Sequence, residues 1–255
     1  MVKISRPRSQ EYRILSSPSL IWINAGAYFM DIVRHLKTFD LFQGVSPENL
    51  RLLAAQALYR KYPAQEIIIG EADPIKSFYV VLTGRLKLYK SSPEGKEQTI
   101  QLLGPGDPFG LCTAFATDAF PASAMTLEES SVILIPGTLM ESTALKEPKL
   151  LLNIIQILSR RLKDSMTLIE SLALKEIPGR LASFLLHSLA QSHGETDRLE
   201  LAITQRELAK ILGATPEALS RALRKLAEDG ILRASGRTIR ILDRGALVDL
   251  AEGNG

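Results

Sequence analysis

The chain has 255 residues, of which 45% are hydrophobic, and this is enough for two domains of ordinary size with their own cores. Its 31 lysines and arginines against 28 aspartates and glutamates give a net charge of +3, so affinity for nucleic acid would require a local concentration of cations. The single cysteine, Cys112, excludes a disulfide framework and a four-cysteine cluster within one chain, and His35, His187 and His193 lack the close spacing of a zinc site.

Residues 1–30 are predicted to form an N-terminal extension. A basic tail runs to about Ser19, and the apolar segment Leu20–Met30 is expected to dock on the body or on a partner. The alternative is a secretory signal peptide, because Ala25-Gly26-Ala27 has the pattern of a cleavage site, although Asn24 interrupts the apolar run. No run of 18 apolar residues occurs, so a membrane-spanning helix is not predicted.

Residues 31–146 are predicted to form an antiparallel β-roll of the jelly-roll kind. The segment begins with two short helices, one over Asp31–Leu41 and one that Ser46 caps with Pro47 in its first turn. Short β-type runs separated by Gly, Pro and Asp turns follow. These runs are Ile67–Gly70, Phe78–Leu82, Leu86–Tyr89, Thr99–Leu103 and Ser131–Ile135.

Residues 147–175 are predicted to form one long helix with an apolar stripe. A helix of this length usually pairs with another, so the stripe predicts a two-fold dimer, and a single helix lying on the roll is the alternative. The predicted interface residues are Leu151, Ile155, Leu158, Leu162 and Ile169. A break at Glu176–Arg180 marks the boundary with the last domain.

Residues 176–255 contain the pattern of a winged helix-turn-helix. A helix to about Ser192 and a short strand over Leu199–Ile203 come first. Thr204 and Glu207 form a predicted capping box for the first helix of the motif, and Gly213 ends that helix. Thr215 caps the second helix, and such a pair is typical of DNA-binding domains whose second helix enters the major groove.

The predicted DNA-contacting side chains lie on this motif and on a following hairpin around Ser235-Gly236, the wing. They are Thr204, Gln205, Thr215, Glu217, Ser220, Arg221, Arg224, Lys225 and Arg237, with Arg240 also near phosphates. From Thr204 to Arg244 there are nine lysines and arginines against five acidic residues, an excess of +4 that suits contact with phosphates. The alternative is a small helical core with solvated charges.

The order of roll, long helix and winged helix-turn-helix resembles the CRP/FNR family of bacterial transcription regulators. The matching segments are Gly70, Phe78–Arg85, Pro93–Glu97, Leu103–Gly110, Gly179-Arg180 and the helix-turn-helix. The resemblance implies an α+β fold with a cyclic-nucleotide-binding-like sensor domain, a homodimer and a palindromic DNA operator. It also implies action on RNA polymerase, a cytoplasmic location and no enzymatic activity.

The predicted reading helix is similar to that of the FNR-type branch, whose half-site resembles TTGAT. The similarity rests on Glu217-x-x-Ser220-Arg221, in which Arg221 can bind a guanine edge and Glu217 can accept from a cytosine amine. Pro216 stands where the cyclic-AMP branch has arginine. A salt bridge between Glu217 and Arg221 is the alternative use of these two side chains.

The resemblance does not extend to the cyclic-nucleotide site. Leu111 replaces the glutamate that holds the ribose, and Phe120-Pro121-Ala122 replaces Arg-Ser-Ala, whose arginine holds the phosphate. Cyclic AMP is therefore not expected. One cysteine also excludes the iron–sulfur cluster of FNR. An apolar pocket between roll and long helix is predicted instead, lined by Leu111, Phe115, Phe120, Met125, Leu162, Ser165, Met166 and Ile169.

Among cluster-free relatives, the chain is similar to the haem-binding nitric-oxide sensors of the DNR and HcpR type. This makes haem b with a gas ligand the first hypothesis for the effector, and His35, Cys112, Met125 and His187 are the candidate iron ligands. A small organic effector and oxidation of Cys112 are alternatives, the latter weakened because no cation adjoins Cys112 in sequence. A constitutive DNA-binding protein is a further class. An enzyme is not expected, since Gly104–Gly110 lacks the Gly-Lys-Ser/Thr ending of a phosphate loop.

Overall fold

The structure, a computed structural model, describes residues 25–115, 119–191 and 197–253. The predicted basic tail, the first five residues of the apolar segment Leu20–Met30 and His193 lie outside the described residues. Helix α1 covers Ala25–Thr38 and a 3-10 turn follows at Asp40–Phe42. The predicted helix over Asp31–Leu41 was therefore misplaced, and the predicted boundary at residue 30 falls inside α1. Helix α1 ends three residues before the predicted Leu41 because the chain continues as a 3-10 turn, in which Phe42 N–H donates to the carbonyl of Phe39, three residues back, at 2.9 Å.

Helix α2, Pro47–Gln56, begins as predicted with a cap from Ser46, whose hydroxyl accepts from Asn49 N–H at 3.4 Å. The eight strands of the roll follow with one short helix, α3, between β6 and β7. In chain order, the eight strands and the helix are β1 Leu58–Tyr62, β2 Ile67–Ile69, β3 Ser77–Thr83, β4 Leu86–Ser91, β5 Glu97–Leu103, β6 Pro108–Phe109, α3 Leu111–Phe115, β7 Ser123–Thr126 and β8 Ser130–Pro136.

All strand pairs in the roll are antiparallel, and the strands form two four-stranded sheets. One sheet has the order β1-β8-β3-β6 and the other has the order β2-β7-β4-β5. Apolar side chains of β3 and β8 fill the space between sheets and helices, and strand β5 forms an edge of the second sheet. The predicted antiparallel roll is confirmed; β1, β6 and β7 were not predicted.

Helix α4, Gly137–Lys146, leads into the long helix α5, Pro148–Leu174. Its first half packs on the roll through Leu150 and Ile154. Asn153 donates to the carbonyls of Leu41 and Gln43, both at 2.9 Å, which ties α5 to the 3-10 turn. All five predicted interface residues, Leu151, Ile155, Leu158, Leu162 and Ile169, are exposed on this helix.

The last part of the chain contains four helices and a three-stranded antiparallel sheet of order β10-β11-β9 around a separate core. The elements are α6 Ile177–Gln191, β9 Arg198–Glu200, α7 Gln205–Ile211, α8 Pro216–Glu228, β10 Leu232–Ser235, β11 Thr238–Ile241 and α9 Arg244–Glu252. The predicted α+β architecture is confirmed. Within the part of the chain that the structure describes, no helix is long and apolar enough to cross a membrane.

Candidate nucleic-acid interface

The two helices of the predicted helix-turn-helix, α7 and α8, begin at the predicted caps. The hydroxyl of Thr204 accepts from Glu207 N–H, and that of Thr215 accepts from Ala218 N–H, both at 3.2 Å. Gly213 has a φ of +62° in the turn between them, where a residue without Cβ is favoured. The capping box is incomplete, because the carboxylate of Glu207 accepts from two lysines instead of from the N–H of Thr204.

Helix α8 separates a buried face from an exposed one. Leu219, Leu223 and Leu226 pack into the core of the domain. The opposite face presents the predicted reading residues, all of them exposed: Thr215, Glu217, Ser220, Arg221, Arg224 and Lys225. A helix that is fixed from behind and polar in front can insert into the major groove without losing its position on the domain.

The acidic member of this face is held ionised. Hydrogen bonding to its own backbone amide and to Thr215 lowers the pKa of Glu217, and the charge of Arg221 adds a smaller effect in the same direction. Glu217 and Arg221 are not among the ion pairs within 4 Å that join described residues. The predicted alternative, a salt bridge between Glu217 and Arg221, is therefore not formed in this structure.

The wing is the hairpin of β10 and β11, paired from Leu232↔Ile241 to Ser235↔Thr238 with Gly236 at φ +59° in its turn. The predicted DNA contacts Thr204, Gln205 and Arg237 are exposed. Thr204 and Arg237, however, face a cavity of about 440 Å³ whose other wall belongs to the roll.

The contact between the roll and α7 was not predicted. Lys87 on β4 bonds Glu97 on β5 at 2.8 Å and Glu207 on α7 at 3.1 Å. Lys210, one turn further along α7, bonds Glu97 and Glu207, the latter at 3.1 Å. We call Lys87, Glu97, Glu207 and Lys210 the four-charge cluster. In sequence, Lys87 resembles a solvated strand residue because it alternates with apolar neighbours, and no nearby residue indicates that it is buried.

Arg180 joins the long helix to the helix-turn-helix. Its guanidinium donates to the carbonyl of Leu172 at 2.9 Å, of Lys175 at 2.8 Å and of Leu212 at 3.0 Å. These carbonyls lie at the ends of α5 and α7, where helices leave backbone acceptors unsatisfied. One side chain thus fixes the junction between the two elements.

The predicted effector-pocket residues do not surround one described cavity. Leu111 and Phe120 are buried, but in two different clusters of the roll core. Phe115, the last residue of α3, is exposed. Leu162, Met166 and Ile169 are exposed because this face of α5 points away from the chain's own core. Met125 on β7 and Ser165 on α5 are half-buried.

Aromatic side chains fill the region that corresponds to the replaced nucleotide-binding residues. The rings of Tyr79 and Phe109 stack with centroids 4.7 Å apart, and Phe120 meets Tyr79 edge-on at 6.4 Å. A Cβ on Gly110 would lie 2.4 Å from the carbonyl oxygen of Ser77, so the loop is packed closely here. Burial raises the pKa of Tyr79 to about 12.

The candidate haem ligands lie on four different elements. His35 on α1, Cys112 on α3 and His187 on α6 are exposed, and Met125 on β7 is half-buried. None of them lines either of the two described cavities. Among the described residues, no three His, Cys, Asp or Glu side chains are grouped to hold a metal ion.

The second described cavity, about 460 Å³, lies between α1, the loop before β6 and α5. Arg160, Arg161 and Asp107 are among its lining residues. The guanidinium of Arg161 donates to the carbonyl of Pro108, and burial raises the pKa of Asp107. This cavity is polar and differs from the predicted apolar pocket.

Two family models match the chain. Residues 59–146 match the cyclic nucleotide-binding domain, and residues 179–250 match the Crp-like helix-turn-helix domain.

Curated relatives and a solved structure extend this likeness over most of the chain. The anaerobic regulatory protein of Pasteurella multocida is 32% identical over 75% of this chain and 72% of its own length. The CRP-like cAMP-activated global transcriptional regulator of Mycobacterium tuberculosis is 28% identical over 80% of this chain and 92% of its own. The structure of FixK2 from Bradyrhizobium japonicum covers 76% of this chain and 96% of that one, with a TM-score of 0.68 and 29% identity. The two curated relatives are regulators, and the chain belongs to the CRP/FNR family of DNA-binding transcription regulators.

Proposed function

We propose that this regulator reads a two-fold symmetric DNA site as a homodimer. The observation that carries the proposal is the exposed face of α8, where Glu217, Ser220 and Arg221 stand side by side on a helix fixed by buried leucines. Its half-site is of the TTGAT type. Arg221 binds a guanine edge with two hydrogen bonds, and Glu217 accepts from a cytosine amine on the opposite strand.

The second protomer binds along α5. Leu151, Ile155, Leu158, Leu162 and Ile169 are spaced three, four or seven residues apart and are exposed in the single chain. An apolar stripe of this period suits a partner helix related by two-fold symmetry, which would set two α8 helices about one helical turn apart on DNA. Contact with RNA polymerase stays a prediction.

The effector of the roll is not a cyclic nucleotide. Leu111 and Phe120, which stand where the nucleotide-binding branch has glutamate and arginine, are buried, and the ring of Phe120 packs against Tyr79, which stacks on Phe109. A cyclic phosphate would lose its charged partner and its ribose acceptor there. An apolar effector is the kind of ligand that this interior could accommodate by rearrangement.

Haem with nitric oxide stays a hypothesis for that effector, and the four candidate ligands do not converge in the described residues. It is tested by the visible absorption spectrum after addition of haem. A stoichiometric Soret band that shifts with nitric oxide would support it, and weak non-stoichiometric uptake would leave a small organic effector or oxidation of Cys112.

Sequence-specific binding is tested by fluorescence anisotropy with a duplex that carries two inverted TTGAT half-sites and a duplex with these half-sites scrambled. Arg221→Ala should remove discrimination, with a loss of about tenfold or more per half-site on the first duplex only. Arg237→Ala should weaken both duplexes alike and reduce the salt dependence by about one phosphate contact per protomer. Arg51→Ala, an exposed cation on α2, serves as the control. Equal losses on both duplexes for Arg221→Ala would refute the assignment.

A further inference from the structure

The DNA-binding domain is docked against the roll through α7. Besides the four-charge cluster, the amide of Gln98 on β5 donates to the carbonyl of Ile211 at 3.0 Å. Leu102 and Leu127 of the roll also pack against the core of the DNA-binding domain. The docking surface therefore combines apolar contacts with hydrogen bonds and ion pairs from strand β5 and the neighbouring strand β4.

The four-charge cluster gives this docking a defined geometry. Lys87 has 0% of its surface exposed, and its two acceptors come from different domains, Glu97 and Glu207. The two lysines and two glutamates balance in charge, so moving α7 away would leave Lys87 with one carboxylate in place of two. Buried ion pairs add little net stability but strongly disfavour arrangements that leave a charge unpaired. The cluster thus selects one orientation of the domain.

This orientation turns part of the predicted DNA-binding surface toward the roll. The predicted DNA contacts Thr204 and Arg237 line one wall of the 440 Å³ cavity together with Arg206, which was not predicted as a contact. Gln65 and Glu128 are on the opposite wall. The cavity has the volume of a small-molecule pocket. The reading face of α8 points away from it, while Thr204, Arg206 and Arg237, although exposed, have the roll on the other side of the cavity.

We propose that the four-charge cluster is a latch that holds the DNA-binding domain in this docked orientation and so restricts DNA binding. This inference rests on the proposed function of α8 and the wing. Release of the latch turns Thr204, Arg206 and Arg237 away from the roll and allows them to contact phosphates. Because two members, Lys87 and Glu97, belong to the roll, a change in the roll can act on DNA binding through them.

The test uses substitutions on the roll side, which does not contact DNA in the proposed complex. Glu97→Gln keeps the size of the side chain but removes the charge shared by Lys87 and Lys210, and Gln98→Ala removes the bond to Ile211 without changing any charge. The control is Lys90→Met on the neighbouring strand β4, since Lys90 pairs with Glu71 at 2.6 Å on the exposed surface. Circular dichroism establishes that each variant is folded.

Two measurements are made on the full-length protein. Hydrogen–deuterium exchange of residues 205–213 reports docking, and anisotropy with the inverted-repeat duplex reports DNA affinity. We expect both roll-side variants to exchange faster than wild type and Glu97→Gln to bind DNA about tenfold more tightly, within the usual range of coupling between two sites. Lys90→Met should match wild type in both measurements.

Unchanged exchange in Glu97→Gln and Gln98→Ala would overturn the latch, as would faster exchange with unchanged or weaker DNA binding. If wild type binds the duplex and the variants match wild type in exchange and in DNA affinity, the latch alone is refuted. If neither wild type nor any variant binds duplex DNA, the proposed function itself fails and the latch fails with it.

Discussion

The dimer interface can be tested at Leu162, which lies on the exposed stripe of α5. In the single chain this side chain leaves 65% of its surface exposed. Full burial of a leucine contributes about 1.5–3 kcal/mol, so covering the remaining surface contributes about 1–2 kcal/mol per protomer. A two-fold dimer contains two copies of Leu162, so this contribution is lost twice. Leu162→Ala should therefore weaken the dimer by about 2–4 kcal/mol, or about 30- to 1000-fold in its dissociation constant.

Sedimentation equilibrium over a range of protein concentrations measures this constant directly. The matched control is Leu145→Ala on α4, which removes the same atoms from a side chain that is 76% exposed and lies outside the stripe. The control should dimerise like wild type. If Leu162→Ala keeps the wild-type dissociation constant, or if Leu145→Ala loses affinity equally, the stripe is not the interface.

Three further perturbations address the helix-turn-helix and its docking. Thr215→Ala removes the cap of α8 and should cost about 1 kcal/mol, which calorimetry would detect as a fall in Tm of about 3 °C. Gly213→Ala places a Cβ at φ +62° and 2.9 Å from Leu172 Cδ2, so denaturant unfolding should show a loss of about 1–2 kcal/mol. Burial raises the pKa of Glu97, but hydrogen bonds from Lys210 and Lys87 outweigh this effect, so the pKa of Glu97 is lowered overall. Burial lowers the pKa of Lys210, but hydrogen bonds to the carboxylates of Glu97 and Glu207 outweigh this effect, so the pKa of Lys210 is raised overall. The contribution of Glu97 to docking is thus present above its unfolded pKa and lost as the pH falls through the lowered value. The contribution of Lys210 is present below its unfolded pKa and lost as the pH rises through the raised value. X-ray scattering across pH should show docked domains over the whole range between these two values and separated domains only at its acidic and alkaline ends.

Local signals in the sequence were sufficient for most of the fold. Ser46, Thr204 and Thr215 cap helices where Ser or Thr precedes a helical pattern, and the side-chain oxygen alone explains this preference. Strands β3 and β8 were found because each is a nearly continuous apolar run, which suits burial on both faces. Such features depend on a few neighbouring residues and can be recognised without knowing the tertiary structure.

Features that depend on distant partners were missed. Strand β7 is four residues, Ser123–Thr126, without a clear β pattern, and it exists because β2 and β4 pair with its two edges. Lys87 is buried because Glu207, 120 residues further on, bonds its ammonium group. A single sequence gives no indication of either pairing, since both partners lie far along the chain.

The helical period of α5 located an apolar stripe but not the role of each residue. Leu162 and Ile169 were assigned both to the effector pocket and to the dimer interface, because the pattern alone cannot distinguish two adjacent faces. The structure places them on the outward face with Met166, while the roll side of α5 near its start carries Leu150 and Ile154. An effector that contacts Leu162 or Ile169 would therefore have to meet them at the surface that we assign to the partner helix.

Helix α7 is held from two sides, and this determines how signals can reach the reading helix. Gln98 on the edge strand β5 bonds its last turn, so α7 covers a sheet edge that would otherwise be open. Arg180 bonds the carbonyls of Leu172 and Leu212, which links the end of the dimer helix to the end of α7. The roll and the dimer helix thus act on the same element. Because α8 follows α7 after a short turn at Gly213, the position of the reading face relative to the two-fold axis must depend on both contacts together.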